Sequence, residues 1–437
     1  MDISLITLGC SKNAVDSERI AGRLASMGHR IVDAVSDAQV GIVNTCGFIQ
    51  DAVKENVDAI LDLERMKEDG RLSHIIVAGC LVERYEAELR KELPSVDLFV
   101  GVDGEDAIAG WVASLEGGRA APTGASCGRR ILPFGTPWSR WLKVSEGCGA
   151  RCSYCVIPKI RGPLRSVPVE ALVDEALMLC TAGARELCLV GQDLTAYGMD
   201  LYGVPSLHSL VGALDAALPA GTWLRLLYMH PDRMTDELID ALLGADKVLH
   251  YMDMPIQHVD DEILARMARR PNGGRIRELF RRVRDADPLF ALRTTIMVGF
   301  PGEGEDQFLD VLGFLEEMEL DRVGAFVWSP EDGTPAASLP GRVPRDVAEE
   351  RWARLMDVQS EISQERGELF IGHELDVLIE ELDDDGVAWG RSYRDAPEVD
   401  GMVCVDGAGG VAPGDIVRAR VTESVGHDLS AVRAGDE

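Results

Sequence analysis

Along the first 113 residues, short runs of nearly unbroken apolar character alternate with longer amphipathic stretches. Ile3–Leu8, Val40–Asn44, Ile75–Ala78 and Leu98–Val100 read as strands apolar on both faces, the pattern of a parallel sheet covered by helices. Helices are predicted between them, over Asp16–Met27 and Gln50–Met66. The reading is α/β, with a doubly wound domain over residues 1–113.

The rhythm breaks over residues 114–140, which are rich in Gly, Ala and Pro and lack a period. A linker is expected there, over 114–133. It then resumes as six strand-then-helix units in a domain spanning 134–366. The strands are Trp141–Ser145, Glu186–Val190, Trp223–Tyr228, Val248–Met254, Leu292–Val298 and Arg322–Trp328. In the first long helix Val169, Leu172, Ala176 and Leu179 share a face, Pro168 suits the first turn, and Gly183 is placed for the C-terminal cap. Six units form an open, partial (β/α)6 barrel, with its active centre at the C-terminal ends of the strands. A charged helix over roughly 345–368 leads to residues 367–437. There Leu375–Ile379, Met402–Val405 and Ile416–Val421, with Gly-rich turns, suggest a small β-barrel.

Charge and cysteine count narrow the chemistry. The 437 residues carry 74 acidic against 44 basic side chains, a net of -30, which argues against a surface that grips phosphates everywhere. No apolar run approaches the ~18–20 residues that span a bilayer, and the opening MDISLITLG runs straight into a strand pattern. No membrane association and a cytoplasmic location are expected. There, ten cysteines are kept reduced, so grouped ones bind metal or do chemistry instead of forming disulfides.

Cys148, Cys152 and Cys155 sit at a three-then-two spacing just after the first barrel strand, with Gly147 and Gly149 letting the loop curl. Cysteine-ligated four-iron cubes usually take four thiolates; three leave one iron open to a substrate or cofactor. The competing readings are a zinc site, which lacks a nearby fourth ligand, and unrelated core cysteines. Cys10, Cys46 and Cys80 each lie just past a predicted parallel strand, at sheet ends that share one crevice. They meet only if the three strands are neighbours; otherwise each is a small buried hydrophobe. Cys127, Cys180, Cys188 and Cys404 read as packing or incidental residues.

The Cys148–Cys152–Cys155 triplet, with Tyr154 before its last member and a βα scaffold, resembles the radical S-adenosylmethionine enzymes. The segments Leu8-Gly9-Cys10-Ser11-Lys12-Asn13, Asn44-Thr45-Cys46-Gly47-Phe48 and Ala78-Gly79-Cys80-Leu81 resemble their methylthiotransferase branch, and the C-terminal segment is similar to its TRAM domain. The resemblance spans essentially the whole chain. It implies two [4Fe-4S] clusters. Cys148, Cys152 and Cys155 would hold the cluster whose open iron chelates S-adenosylmethionine; Cys10, Cys46 and Cys80 would hold an auxiliary cluster carrying the sulfur to be transferred. One S-adenosylmethionine would yield a 5′-deoxyadenosyl radical that takes a hydrogen atom, and a second would supply the methyl group. Such chemistry is the cofactor's, and the protein supplies position and exclusion of water. Candidate S-adenosylmethionine contacts at strand ends are Tyr154, Gly191, Gln192, Asp253 and Gln257; Asp193 and Gly299–Glu303 lie in similar places. No catalytic residue is assigned beyond the cluster ligands. His258 is read as structural, and Gly407–Gly410 as a turn.

That branch includes enzymes acting on a tRNA adenosine and enzymes acting on an aspartate of ribosomal protein S twelve. Arg391–Gly401 and Met254–His258 resemble the second group's segments. Residues 367–437 carry 17 Asp and Glu against 5 Arg and no Lys, a net of -12. An RNA-gripping barrel should show a basic stripe or an aromatic platform, so direct RNA binding by this domain is not expected. The expectation is methylthiolation at the aspartate β-carbon, on the free ribosomal protein or the 30S subunit, with an electron donor such as flavodoxin or ferredoxin. The alternatives are the tRNA-adenosine enzyme and a non-catalytic iron–sulfur electron carrier or sensor.

Overall fold

The apolar runs of the N-terminal region fold, in a computed structural model, into a five-stranded sheet. Residues 1–117, 130, 136–383 and 386–435 are described, so most of the expected linker, with Cys127, lies outside them. The strands β1 (Asp2–Thr7), β2 (Arg30–Val32), β3 (Val40–Thr45), β4 (His74–Gly79) and β5 (Leu98–Val100) lie in the order β2-β1-β3-β4-β5, and every pairing is parallel. Helices α1 (Ser11–Ser26), α2 (Gln50–Glu68), α3 (Cys80–Glu92) and α4 (Glu105–Leu115) connect or follow them. Ile3, Leu5, Val40 and Ile42 pack one face against Ile20 and Val112. Val43, Ile75 and Val77 pack the other against Ile60, Leu63 and Leu81. This two-sided burial explains why the strands read as continuous apolar runs.

Two elements differ from expectation. β2, an edge strand, has three residues and only Ile31 and Val32 to signal it. α1 begins five residues before Asp16, because Ser11, Lys12 and Asn13 are polar yet buried there.

The chain divides into two compact units: Met1–Thr136 with Trp141–Ala150 and Cys155–Arg165, and Pro137–Arg140 with Arg151–Tyr154 and Ser166–Glu437. In the second, Glu186–Val190 pairs in parallel with Trp223–Leu226. Tyr251–Asp253, Ala291–Val298 and Arg322–Val327 form another parallel set. A bridge between Leu224 and Val248 joins the sets, and the Arg185 and Glu186 N–H groups donate to Trp138 O at 2.7 and 2.8 Å. The first barrel strand is Ser139–Lys143, two residues earlier than expected, and Ser145–Glu146 is a separate short strand. The fourth shrinks to three residues because its start makes only the bridge. Helix Val169–Thr181 buries Leu172, Ala176 and Leu179, and Gly183 turns out of it at φ +110°.

Helix Arg345–Glu368 leads into a closed five-stranded barrel of Glu374–Leu382, Ala388–Arg391, Val403–Asp406, Ile416–Val425 and Asp428–Arg433. Two of these strands were not anticipated: Ala388–Arg391 is short, and Asp428–Arg433 alternates polar and apolar residues without an apolar run. Gly407 and Gly410 are turn residues at φ +72° and +83°.

Within this unit the terminal barrel is joined to the α/β strands by buried ion pairs. Glu186, fully buried, accepts from Arg225 Nε and Arg391 Nη2, both at 2.7 Å. Burial alone would raise its pKa; Arg391 and Arg225 outweigh that and hold it at about 2. Arg293 bridges Asp253 at 2.8 Å and Asp400 at 3.3 Å. Arg322 pairs with Asp395 at 2.7 Å, and buried Asp321 faces Arg394 at 3.6 Å.

Candidate functional site

Cys10, Cys46 and Cys80 follow β1, β3 and β4, three adjacent strands of one sheet. The strand order reverses between β1 and β3, and in open α/β sheets such a switch point opens a crevice at the C-terminal ends. Cys10 caps the start of α1, Cys46 follows Thr45, and Cys80 is the first residue of α3. Glycine brings these segments together. A Cβ on Gly9, at φ +104°, would lie 2.6 Å from Cys46 Cβ and 3.3 Å from its Sγ, and one on Gly47 would meet Cys80 O at 2.7 Å. Asn13 Nδ2 ties the strand ends, donating to Leu8 O at 2.8 Å and Thr45 O at 3.0 Å. The Cys46 N–H donates to Asn56 Oδ1 at 3.0 Å.

A residue absent from the sequence reading, Arg161, completes this cluster. It is 4% exposed. Its Nε donates to Cys80 Sγ at 3.2 Å, and its Nη1 to both Glu146 oxygens at 3.0 and 2.9 Å and to Asp16 at 3.3 Å. Nη2 donates to Asn13 Oδ1. Lys143 pairs with Glu146 at 2.9 Å and with Asp16. Burial pushes the Cys80 thiol up to about 11 against the pull of Arg161. Burial also opposes ionisation of Cys10, yet the Lys12 and Arg161 cations outweigh it and lower its pKa.

Among the described residues, no three His, Cys, Asp or Glu side chains form a group suited to one metal ion. A single ion with Zn–S bonds of about 2.3 Å would pull three sulfurs almost into contact. A four-iron cube takes each thiolate at a different corner and needs a wider set. Three thiols near enough to act on one another's ionisation, glycines where a Cβ would intrude and a guanidinium on the Cys80 sulfur fit the cube.

Cys148, Cys152 and Cys155 lie between the Ser145–Glu146 strand and the Ile157–Ile160 helix, the first and last in the first unit and Cys152 in the second. The Ala150 and Ile157 N–H groups each donate at 3.4 Å to the sulfurs of Cys148 and Cys155, bonds that favour the thiolate. Gly147, at φ +74°, is required: a Cβ there would fall 2.1 Å from Pro163 O.

In the second unit, Arg269 is a further residue that sequence reasoning missed. It is 7% exposed. Its Nη1 lies 3.9 Å from Cys152 Sγ and 3.2 Å from Tyr154 Oη, and its Nη2 donates to Pro255 O at 2.7 Å. Tyr154 packs edge-on to Phe300 at 6.5 Å, beside Met267 and Met297. Gly191 and half-buried Gln192 follow the second barrel strand. Gln257, 9% exposed, adopts the left-handed region at φ +74°, and its buried Oε1 has no hydrogen-bond partner among the described residues. A non-glycine residue held there is strained, a condition that clusters at ligand sites. Asp253 is engaged differently: its carboxylate accepts from Arg293 Nη1 at 2.8 Å and Tyr228 N at 2.9 Å, within the ion-pair seam. Asp193 accepts from Arg233 at 2.7 Å and Thr195 at 2.6 Å. Burial, with Arg269 and Arg233 nearby, drives the His230 pKa down to about 2, so its ring is neutral. His258 is fully buried; its Nδ1 accepts from Asp260 N at 3.0 Å and its Nε2 lies 3.7 Å from Glu303. Glu303 in turn accepts from Gly299 N at 2.9 Å and Arg351 at 2.7 Å. Cys180 lies in helix 169–181, Cys188 is buried in a strand, and Cys404 is in the terminal barrel.

Comparison with known proteins gives this arrangement its class. The radical SAM superfamily model matches residues 142–315, the model described as uncharacterized protein family UPF0004 matches 2–101, and the TRAM domain model matches 371–433. In fold, the chain is similar to the radical S-adenosylmethionine methyltransferase TsrM from Kitasatospora setae, solved with cobalamin and a [4Fe-4S] cluster. Its TM-score is 0.59, at 14% identity over 77% of each chain. That likeness is one of fold; with the superfamily model and the relatives that follow, the class is a radical SAM transferase, with an iron–sulfur cluster and S-adenosylmethionine as cofactors. Ribosomal protein uS12 methylthiotransferase RimO of Geobacter sulfurreducens is 44% identical, with 98% of this chain and 97% of the relative aligned. RimO of Trichlorobacter lovleyi is 43% identical over the same shares. The chain belongs to the RimO family of ribosomal protein uS12 methylthiotransferases.

Proposed function

We propose that this enzyme attaches a methylthio group to the β-carbon of an aspartate in ribosomal protein S twelve (uS12), free or in the 30S subunit. The observation that carries the reading is the placing of Cys10, Cys46 and Cys80 at the ends of three adjacent strands, with a buried guanidinium on the Cys80 sulfur. In this reading these three hold an auxiliary [4Fe-4S] cluster, and Cys148, Cys152 and Cys155 a second. Tyr154, Gly191, Gln192 and Gln257 line the S-adenosylmethionine side, with Asp253 in their supporting frame. The domains are 1–113, a linker over 114–133, 134–366 and 367–437.

When bound, the clusters and S-adenosylmethionine supply the radical, the sulfur and the methyl group. The chain supplies place and dryness. Gly9 and Gly47 leave room beside the thiolates, and Val156, Ile160 and Val102 close around Cys80 and keep water from it. Peptide N–H groups donate to the Cys148 and Cys155 sulfurs and orient them, and Arg269 fixes the Tyr154 ring while facing Cys152.

The electrostatics favour a basic protein over RNA. Of the five arginines in 367–437, Arg391 and Arg394 are buried, and Arg418 pairs with Glu374 and Asp376 at 3.2 and 3.1 Å. The acidic surface left over repels phosphate and attracts a basic partner across about a Debye length, ~8 Å. No RNA contact by the TRAM domain, a flavodoxin or ferredoxin as electron donor and a cytoplasmic site belong to the same reading; no helix among the described residues is long and apolar enough to cross a membrane.

The test is anaerobic incubation of reconstituted enzyme with S-adenosylmethionine, reductant and either the ribosomal protein, 30S subunits or tRNA, read by mass. A modified aspartate peptide is expected. Modified tRNA beside an unmodified peptide would reverse the assignment, and absence of 5′-deoxyadenosine would leave only an electron carrier.

A further inference from the structure

We propose that Arg161 is a positioning residue that raises the reduction potential of the auxiliary cluster through its Nε–H bond to the Cys80 sulfur. The proposal rests on the ligand reading above and goes beyond it, because it assigns a role to a residue that is not a ligand.

The geometry separates this arginine from an ordinary ion-pair partner. Of its three nitrogens only Nη1 meets Glu146, donating to both oxygens, and it also reaches Asp16. Nη2 takes Asn13 Oδ1, and Asn13 Oδ1 lies 3.8 Å from Cys10 Sγ. Nε is therefore free of any carboxylate and is aimed at Cys80 Sγ, 3.2 Å away. A planar guanidinium gripped on three sides cannot swing from the sulfur, and a lysine cannot reproduce the fork. Lys143 and Arg161 face Asp16 and Glu146, so this set of four balances its own charge. What remains at Cys80 is a directed N–H dipole in an apolar pocket made with Val156 and Ile160. A hydrogen bond to a cluster-ligating sulfur stabilises the added electron and so raises the potential, more strongly where water is absent.

Glu146 lies two residues before Cys148. One guanidinium thus holds both the auxiliary cysteine and the strand end that carries the first cysteine of the other triplet.

The experiment uses full-length protein in which Cys148, Cys152 and Cys155 are replaced by alanine, so that only the auxiliary cluster remains. Iron content and an electrochemical titration followed by electron paramagnetic resonance are compared for this parent, Arg161→Gln and Arg161→Lys. With about four irons retained throughout, the midpoint should fall in Arg161→Gln by roughly a tenfold change in the reduction equilibrium, ~59 mV for one electron. Arg161→Lys should fall less. Equal midpoints at equal iron content overturn the proposal. If Arg161→Gln does not fold, the lysine variant decides alone, and an unshifted midpoint there overturns it. A triple-alanine parent that binds no iron instead sinks the ligand reading, and the proposal with it.

Discussion

Among the arginines withdrawn from solvent in the described residues, two groups have partners that differ in kind. At the seam between the α/β strands and the terminal barrel, Arg225, Arg391, Arg293 and Arg322 meet carboxylates: Glu186, Asp253, Asp400 and Asp395. At the crevice of the N-terminal sheet, Arg161 meets carboxylates on one side and a thiol on the other. The first arrangement is complete by itself and fastens two β-structures. The second keeps a donor on a group that metal chemistry would use. Burial and charge alone do not separate a fastener from a functional site; the chemistry of the acceptor does.

That contrast can be broken at either end. The largest effect is expected from Cys10, Cys46 and Cys80 changed together to alanine, which should abolish methylthiolation of the peptide by mass while 5′-deoxyadenosine still forms. Next, Gly9→Ala forces a Cβ to 2.6 Å from Cys46 Cβ. Iron content should drop from about eight toward about four with little change in circular dichroism. On the seam side, Glu186→Gln leaves Arg225 buried without its counter-charge and Arg391 with Glu380 alone. Breaking such a pair costs about 3–5 kcal/mol, read as a lower urea midpoint, with methylthiolation retained at low temperature.

The pH dependence follows from the same residue. Glu186 has a folded pKa of about 2, below its ordinary 4.5. A lowered carboxyl pKa adds stability that is present above the unfolded value and is lost as pH falls through the folded one. The unfolding free energy from urea titration should therefore decline between about pH 4.5 and 2, by on the order of 3 kcal/mol, and Glu186→Gln should flatten the decline. The smallest effect is expected from Tyr393→Phe, which removes the 2.8 Å bond to Leu289 O, at about 1 kcal/mol.

Much of this was legible in the sequence, for identifiable reasons. Strands covered on both faces leave continuous apolar runs, so β1, β3, β4 and β5 were visible, and with them the cysteines just beyond three of their ends. β2 and Asp428–Arg433 were not visible: an edge strand of three residues and a strand alternating polar and apolar positions carry no such run. Arg161 and Arg269 were missed because an arginine outside a regular element reads as solvent-facing; only folding reveals that the Ile160-Arg161-Gly162 step turns Arg161 inward. Asp253 was singled out for its place at a strand end, but its link through Arg293 to Asp400, 147 positions along the chain, carries no sequence signal.

The central claim is that two separate cysteine trios each hold a four-iron cluster. Iron and acid-labile sulfide per chain, measured after anaerobic reconstitution of the parent and of each triple-alanine variant, test it most directly. The account expects about eight irons in the parent and about four in each variant. A parent with about four irons, unchanged when Cys10, Cys46 and Cys80 are removed, would contradict it.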